Sequence, residues 1–313
     1  MNFLILGAGG IGSYFGTRLI KAGHNVTFVA RGKHLEALQQ NKLKLQHPEF
    51  EFFDNVSSHS IEEIKKMKTS LFDAILITTK STSTKILSDD LFNWLGNTKK
   101  HPYIISLQNG VDNEEILAKK LNDEYIIAGL TRKIGAHIVR PAVVTATGNA
   151  ETILGPISKT KYNELFLEEI KNIFNNAQIP TILSENINLE LWKKLIINNG
   201  VNAICALLRE ETGVIMHNPK LSKIVYGLMN ETAKAAMNKN IKISQKDVEE
   251  MYALISKFDS IKPSMLVDVE HNRELELDEI CGVVIQNLEE QSLDAPYTKT
   301  ISTLLEYTYS KVR

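Results

Sequence analysis

Cysteine is scarce in this 313-residue sequence: only Cys205 and Cys281 occur, far apart and without the spacing of a metal site or a redox pair. That scarcity excludes a disulfide framework and a cysteine-based zinc module, and it reads as buried thiols in a reducing, cytoplasmic compartment. An excess of one charge is missing too. With 36 basic and 37 acidic residues the net charge is -1, so the broad basic footprint of nonspecific nucleic-acid binding is absent. No apolar run reaches about 18 residues, which excludes a membrane span. The opening run 1–6 is apolar but lacks a charged n-region, is too short for a signal peptide, and leads straight into glycines, so it reads as a first strand. No internal repeat, low-complexity tract or Gly/Ser linker interrupts the chain. What remains is an ordinary globular composition, 43% hydrophobic and 23% charged, in a chain long enough that two tightly joined domains are expected.

The first half alternates β-rich runs at 2–6, 25–30, 73–79, 103–107 and 124–129 with amphipathic stretches such as 12–21 and 114–121. This is the α/β pattern of a parallel sheet covered on both faces. Runs 143–147 and 152–154, flanked by Gly148 and Gly155, read as a late hairpin, 161–177 as a helix and 181–183 as a last strand. From about residue 185 the texture turns helical, with 3.6-period segments at 186–208, 220–238, 245–258, 276–290 and 298–309.

Gly7-Ala8-Gly9-Gly10-Ile11-Gly12 is a G-x-G-x-x-G that follows a strand and opens a helix. In that setting Gly7 permits a tight turn, Gly9 lets the backbone approach a pyrophosphate, and Gly12 lets the helix lie close to the sheet. A site for NAD would place Asp or Glu about 20 residues on, at the end of the second strand. Here that strand ends Phe28-Val29-Ala30-Arg31, with Lys33 and His34 just beyond, which suits a 2'-phosphate and favours NADPH over NADH. A solvated surface arginine is the alternative reading of Arg31. Lys80 and Asn109 follow the strands 73–79 and 103–107, at the carboxyl ends where open α/β sheets bind ligands. Gln108-Asn109-Gly110 has turn composition as well, and for Asn109 both readings stand.

Lys194, Asn198 and Asn202 recur every four residues and stack on one helix face, opposite Ile196, Ile197, Val201, Ile204 and Leu207. Periodicity does not decide whether that stripe faces bulk water or a wet cleft. Asparagine is a poor helix former, which favours the cleft. A lysine beside two carboxamides suits ketone reduction, because Lys194 could protonate the oxygen that gains charge as hydride arrives. Ser264 follows Pro263 and precedes Met265-Leu266-Val267-Asp268, and could be no more than a helix cap. Glu276 and Asp278 belong to the acidic run 270–279, which by itself reads most easily as a solvated face and helix-start charge.

The combination resembles the ketopantoate reductases (2-dehydropantoate 2-reductases) over nearly the whole chain. The resemblance rests on the glycine loop, Arg31, Lys80 and Gln108-Asn109-Gly110 in that order, on a helix matching W-x-K-L-x-x-N-x-x-x-N through Trp192, Lys194, Leu195, Asn198 and Asn202, and on Ser264-Met265-Leu266-Val267-Asp268 with Glu276 twelve residues after the serine. It implies an α/β Rossmann domain at 1–184 and a mostly α-helical domain at 185–313, 6-phosphogluconate dehydrogenase C-terminal-like, with the active site in the cleft between them. It also implies NADPH-dependent reduction of ketopantoate in pantothenate biosynthesis. Lys194 would be the general acid and Glu276 a catalytic residue at the active-site cleft; Asn198, Asn202, Ser264 and Asn109 would bind substrate. Gly7, Ala8, Gly9, Gly10, Ile11, Gly12, Arg31, Lys80, Asn109 and Glu276 would meet the cofactor. Neither a metal, a nucleic acid nor a membrane is implied; a homodimer is compatible.

The sequence departs from the family where Leu275 replaces the usual Thr, Cys281 the usual Asn, and Pro141-Ala142 the usual Pro-Gly, and Arg132-Lys133 stands in a segment that is commonly less basic. Two rivals therefore stay in view: a reductase of another small 2-oxo acid on the same scaffold, and a noncatalytic NADPH-binding sensor.

Overall fold

β1 (Asn2–Leu6) is apolar on both sides of its pleat: Phe3 and Ile5 enter one core, Leu4 and Leu6 another. A strand built this way belongs inside a sheet covered on both faces. The structure, a computed structural model, describes residues 1–96, 101–257 and 260–310. The strands that follow are β2 (Asn25–Val29), β3 (Leu43–His47), β4 (Phe50–Asp54), β5 (Ser57–His59), β6 (Ala74–Ile77), β7 (Tyr103–Ser106), β8 (Ile126–Arg132), β9 (Gly135–Arg140), β10 (Val143–Thr147), β11 (Glu151–Pro156) and β12 (Thr181–Leu183). Eight of them form one sheet in the order β12-β11-β8-β7-β6-β1-β2-β5, parallel except between β8 and β11. Because β2 lies on one side of β1 and β6 on the other, the connections diverge at β1, the switch point where such sheets bind ligands.

The helices of this part are α1 (Gly10–Lys21), α2 (Gly32–Gln40), α3 (Ile61–Ile64), α4 (Thr84–Leu95), α5 (Asn113–Ala118) and α6 (Lys161–Asn176). A second sheet, ordered β4-β3-β10-β9, packs over α1 and was not foreseen. Its outline was present in the sequence. Leu43, Leu45, Phe50 and Phe52 alternate with more exposed residues, a period of two that gives a half-buried hairpin.

The expected hairpin between 143–147 and 152–154 is corrected. β10 pairs with β9 and β3, whereas β11 pairs with β8 and β12. One long antiparallel ribbon runs 126–140 against 143–156, and it crosses from the large sheet to the small one between Arg132↔Glu151 and Gly135↔Thr147. Lys133 (φ 61) and Gly148 (φ 82) make the bend, and the true hairpin turn is Pro141-Ala142, with Ala142 left-handed at φ 58. The turn thus holds a non-glycine residue in a conformation that usually costs about 1 kcal/mol.

Contacts divide the chain into two units, Met1–Gln108 with Asp112–Ile187, and Asn109–Val111 with Asn188–Arg313. The first is the α/β Rossmann unit. The second is mostly helical, comprising α7 (Ile187–Leu208), α8 (Thr212–His217), α9 (Leu221–Ala236), α10 (Gln245–Lys257), α11 (Ser264–Glu270), α12 (Val283–Glu289) and α13 (Pro296–Ser310). A π-helical turn, Asp278–Gly282, leads into α12. Residue 258, at the end of the helix expected over 245–258, lies outside the described residues. α7 runs through the core of this unit: every residue from Gly200 to Ala206 is buried, so the helix is less amphipathic than its sequence suggests. Gly200 allows the close fit, since a Cβ there would meet the Met229 side chain of α9 at 2.9 Å.

Candidate active site

In the Rossmann unit the strand register lines up the carboxyl ends. Leu6 pairs with Val29 and Ile77, and Ile77 with Ser106. Gly7, Arg31 and Lys80, each one to three residues past those ends, therefore share one edge of the sheet. Gly7 turns at φ 105, and the N–H groups of Gly7 and Ala8 both donate to the Val29 carbonyl, at 3.2 and 2.8 Å. A Cβ on Gly12 would lie 2.1 Å from the Gly7 oxygen and 2.5 Å from Thr78 Oγ1, so α1 is pressed onto the sheet here. Gly9 faces open space instead. α1 has neither a side-chain cap nor an acidic residue in its first turn, which leaves the positive end of its dipole uncompensated. An open glycine at an uncompensated helix start is a cradle of the shape and charge that a pyrophosphate fits.

Arg31 is exposed at the start of α2 and makes no ion pair among the described residues. Lys80 is half-buried, and its carbonyl accepts from Ser83 Oγ at 2.8 Å and Gln108 Nε2 at 3.2 Å. Gln108, which the sequence marks only as part of the Gln108-Asn109-Gly110 motif, has a bracing role of its own. Buried, it also donates to the Thr79 carbonyl (3.2 Å) and to Thr84 Oγ1 (2.9 Å), which fixes the loop carrying Lys80.

In the helical unit Lys194 and Asn198 are half-buried and Asn202 is buried, so the stripe on α7 is not a solvated face. Lys194 keeps some accessible surface, yet protein atoms crowd it enough that desolvation pulls its pKa down to about 8, against the pull of Glu276, whose charge favours the ammonium form. Glu276 is buried just before the π-helical turn and accepts from Asn109 Nδ2 at 3.0 Å. The Asn198 side chain has no hydrogen-bond partner among the described residues.

Asn202 does more than line the stripe. Its Oδ1 accepts from the Met265 N–H (3.2 Å) and from Ser264 Oγ (3.3 Å). The helix start expected at Ser264 is there, but Ser264 is the first residue of α11 after the N-cap Pro263, and the capping acceptor is Asn202. Leu275 is half-buried; Cys281 sits buried in the π-helical turn, where burial pushes its thiol up to about 12.

Missed altogether was a buried polar brace around Asn199, one position off the stripe. Asn199 Nδ2 donates to the Leu228 carbonyl, Thr232 Oγ1 and Thr298 Oγ1, and Glu231 accepts from the N–H groups of Tyr297 and Thr298. It ties α7, α9 and the start of α13 together. The extra asparagine in Asn198-Asn199 was the available signal, since a buried carboxamide needs partners.

Among the described residues no three His, Cys, Asp or Glu side chains gather as a metal site, and no helix is long and apolar enough to cross a membrane. Residues 3–159 match the family model of ketopantoate reductase PanE/ApbA, and residues 186–307 match the model of its C-terminal part. The chain belongs to this family. A 2-dehydropantoate 2-reductase of Pyrococcus horikoshii is 34% identical over 299 residues, covering 95% of this chain and 93% of that one. Among solved structures, 2-dehydropantoate 2-reductase from Geobacter metallireducens is 27% identical with a TM-score of 0.87, over 98% of this chain and 100% of that one. D-mandelate dehydrogenase, solved with NADH and anilino(oxo)acetate, superposes with a TM-score of 0.90 over 99% of both chains at 23% identity, a likeness of fold alone.

Proposed function

We propose that this chain reduces 2-dehydropantoate to pantoate, a step of pantothenate biosynthesis, with NADPH as reductant. The observation that carries the proposal is Lys194: a lysine brought down to about 8, influenced by the buried Glu276 and one helical turn from Asn198, whose side chain has no hydrogen-bond partner among the described residues. Bound NADPH supplies the hydride. As the ketone carbon accepts it, charge builds on the carbonyl oxygen, and the Lys194 ammonium stabilises that charge and donates its proton there. A pKa of about 8 leaves the group protonated at neutral pH but a readier acid than an ordinary lysine. Glu276 supports the charged form, and Asn109 holds the Glu276 carboxylate. Asn198, the remaining Nδ2 of Asn202 and the Ser264 hydroxyl supply hydrogen bonds for the 2-oxo acid.

For the cofactor, the cradle from Gly7 to Gly12, including Ala8, Gly10 and Ile11, would hold the pyrophosphate, Arg31 the 2'-phosphate, and Lys80 and Asn109 the neighbouring groups. Residues 1–184 would thus serve NADPH, and 185–313 substrate and chemistry. We extend the proposal to a cytoplasmic setting, which the free thiols Cys205 and Cys281 favour, and to a homodimer, to be tested by light scattering. Replacement of Lys194 by Ala should keep NADPH binding and lower turnover by about 10²–10⁴; near-normal turnover would remove Lys194 from the mechanism.

A second reading has an observation of its own. Leu275 and Cys281 place an apolar side chain and a neutral thiol where the family usually carries Thr and Asn, which favours a 2-oxo acid less polar than ketopantoate. A panel of 2-oxo acids followed by NADPH oxidation separates the two. Ketopantoate ranking far below another acid would overturn the pathway assignment, and NADPH binding without turnover of any acid would favour a sensor.

A further inference from the structure

The unforeseen second sheet bears on the glycine loop at two points. A Cβ on Gly10 would sit 1.9 Å from the Ala136 carbonyl oxygen, so β9 lies directly against the start of α1. The other point runs through His34, in the first turn of α2. Its Nδ1 accepts the Ala142 N–H at 3.2 Å, which puts the ring proton on Nε2. Nε2 is buried and makes no hydrogen bond among the described residues, and the Ala8 backbone lies near enough to the ring to favour its protonated form, against the desolvation that lowers its pKa. Ala142 is itself fixed on its other side, because its carbonyl accepts from the Lys44 N–H at 2.9 Å. A buried donor without a partner among the described residues costs free energy, and Ala8 of the loop supplies the backbone group that acts on this ring.

We infer that His34 is a positioning residue of the glycine loop, its ring bridging the β9–β10 turn at Ala142 and the loop at Ala8, so that the loop is held in the shape that receives the NADPH pyrophosphate. The inference rests on the reading of this loop as the NADPH site. His34 need not touch the cofactor. It stands three residues after Arg31, and so joins the element proposed for the 2'-phosphate to the element proposed for the pyrophosphate.

The test uses the full chain carrying His34→Ala, His34→Asn and His34→Gln. NADPH affinity is read by fluorescence titration, alongside KM, kcat and thermal unfolding. Loss of the bridge should weaken NADPH binding by about tenfold in His34→Ala, with kcat at saturating NADPH within about twofold of wild type. The Asn carboxamide stands where Nδ1 does and the Gln carboxamide where Nε2 does, so each keeps one end of the bridge and should bind between wild type and Ala. Should His34→Ala not fold, these two carry the comparison against wild type. Wild-type affinity in all three variants, or a loss of kcat rather than of affinity, overturns the inference. If the wild-type protein does not bind NADPH, the loop reading falls and the inference with it; if wild type binds and the variants match it, only the inference falls.

Discussion

The carboxamide oxygen of Asn202 accepts the backbone N–H of Met265 at 3.2 Å, across 63 residues of sequence. An asparagine deep in a helix is unfavourable by propensity, and this contact explains its presence: Asn202 caps α11 from outside and carries Ser264 with it. Its two functional atoms thus have different duties. Oδ1 positions α11, and Nδ2 is the atom proposed to meet the 2-oxo acid.

Asn202→Ala should therefore lower stability by about 1–2 kcal/mol, the usual loss for a cap, while raising KM for the 2-oxo acid. Ser264→Ala removes only the longer bond and should cost no more than about 1 kcal/mol, with a similar rise in KM. Urea unfolding and steady-state kinetics on both variants check this; equal stability losses would show that the Met265 contact is not the important one.

The pKa of Lys194 sets a pH profile. With Lys194 as the proposed acid, reduction needs the protonated amine, so kcat for reduction should fall as pH rises through about 8, and the reverse oxidation should rise over the same range. Stability follows the same group. Its folded pKa lies below the ordinary 10.5, so between about 8 and 10.5 the unfolded chain binds more protons and wild-type stability gains with rising pH. Lys194→Met should abolish that gain, unfold no more easily than wild type at pH 7, and lose turnover. Denaturation of both proteins at pH 7 and 9.5 decides it.

Much of this was legible in the sequence because the physics was local. The buried parallel strands, the glycine loop and the four-residue stripe each write a period or a motif into neighbouring residues, and α7 and α13 lie within two residues of where their patterns put them. Non-local pairing was hidden. Val143–Thr147 has the same alternation whether its partner is β11 or β9, and only the left-handed residues Lys133 and Ala142 select the latter, at positions where no glycine advertises the turn. Asn202 was read for the right helix face but not for its link to Met265, since nothing local marks a cap supplied from another helix.

Arg31 offers a test of cofactor choice. Exposed at the end of β2 and without an ion pair among the described residues, it is available to a 2'-phosphate. Arg31→Ala should weaken NADPH by about 10- to 100-fold, the scale of charge-assisted hydrogen bonds, and leave NADH nearly unchanged. An unaltered NADPH to NADH ratio of kcat/KM would remove Arg31 from the cofactor site.

Glu114 carries a last consequence of burial. It lies in the first turn of α5, where desolvation pushes its carboxyl up to about 7, helped by the charges of Asp112 and Glu115 and opposed by the Ser106 hydroxyl, which stands near but outside hydrogen-bond geometry. Oε2 has no partner among the described residues. Because the folded pKa lies above the ordinary 4.5, the folded chain holds this proton more tightly. The stability it contributes is complete below about 4.5 and lost as pH rises through about 7. Glu114→Gln keeps the shape and removes the titration, so it should match wild type near pH 4.5 and exceed it at pH 8 by on the order of 3 kcal/mol. Urea unfolding of the two proteins at pH 5 and pH 8 measures the difference. An equal gain at both pH values would mean that packing, not ionisation, separates them, and that burial does not raise the Glu114 carboxyl above its unfolded value.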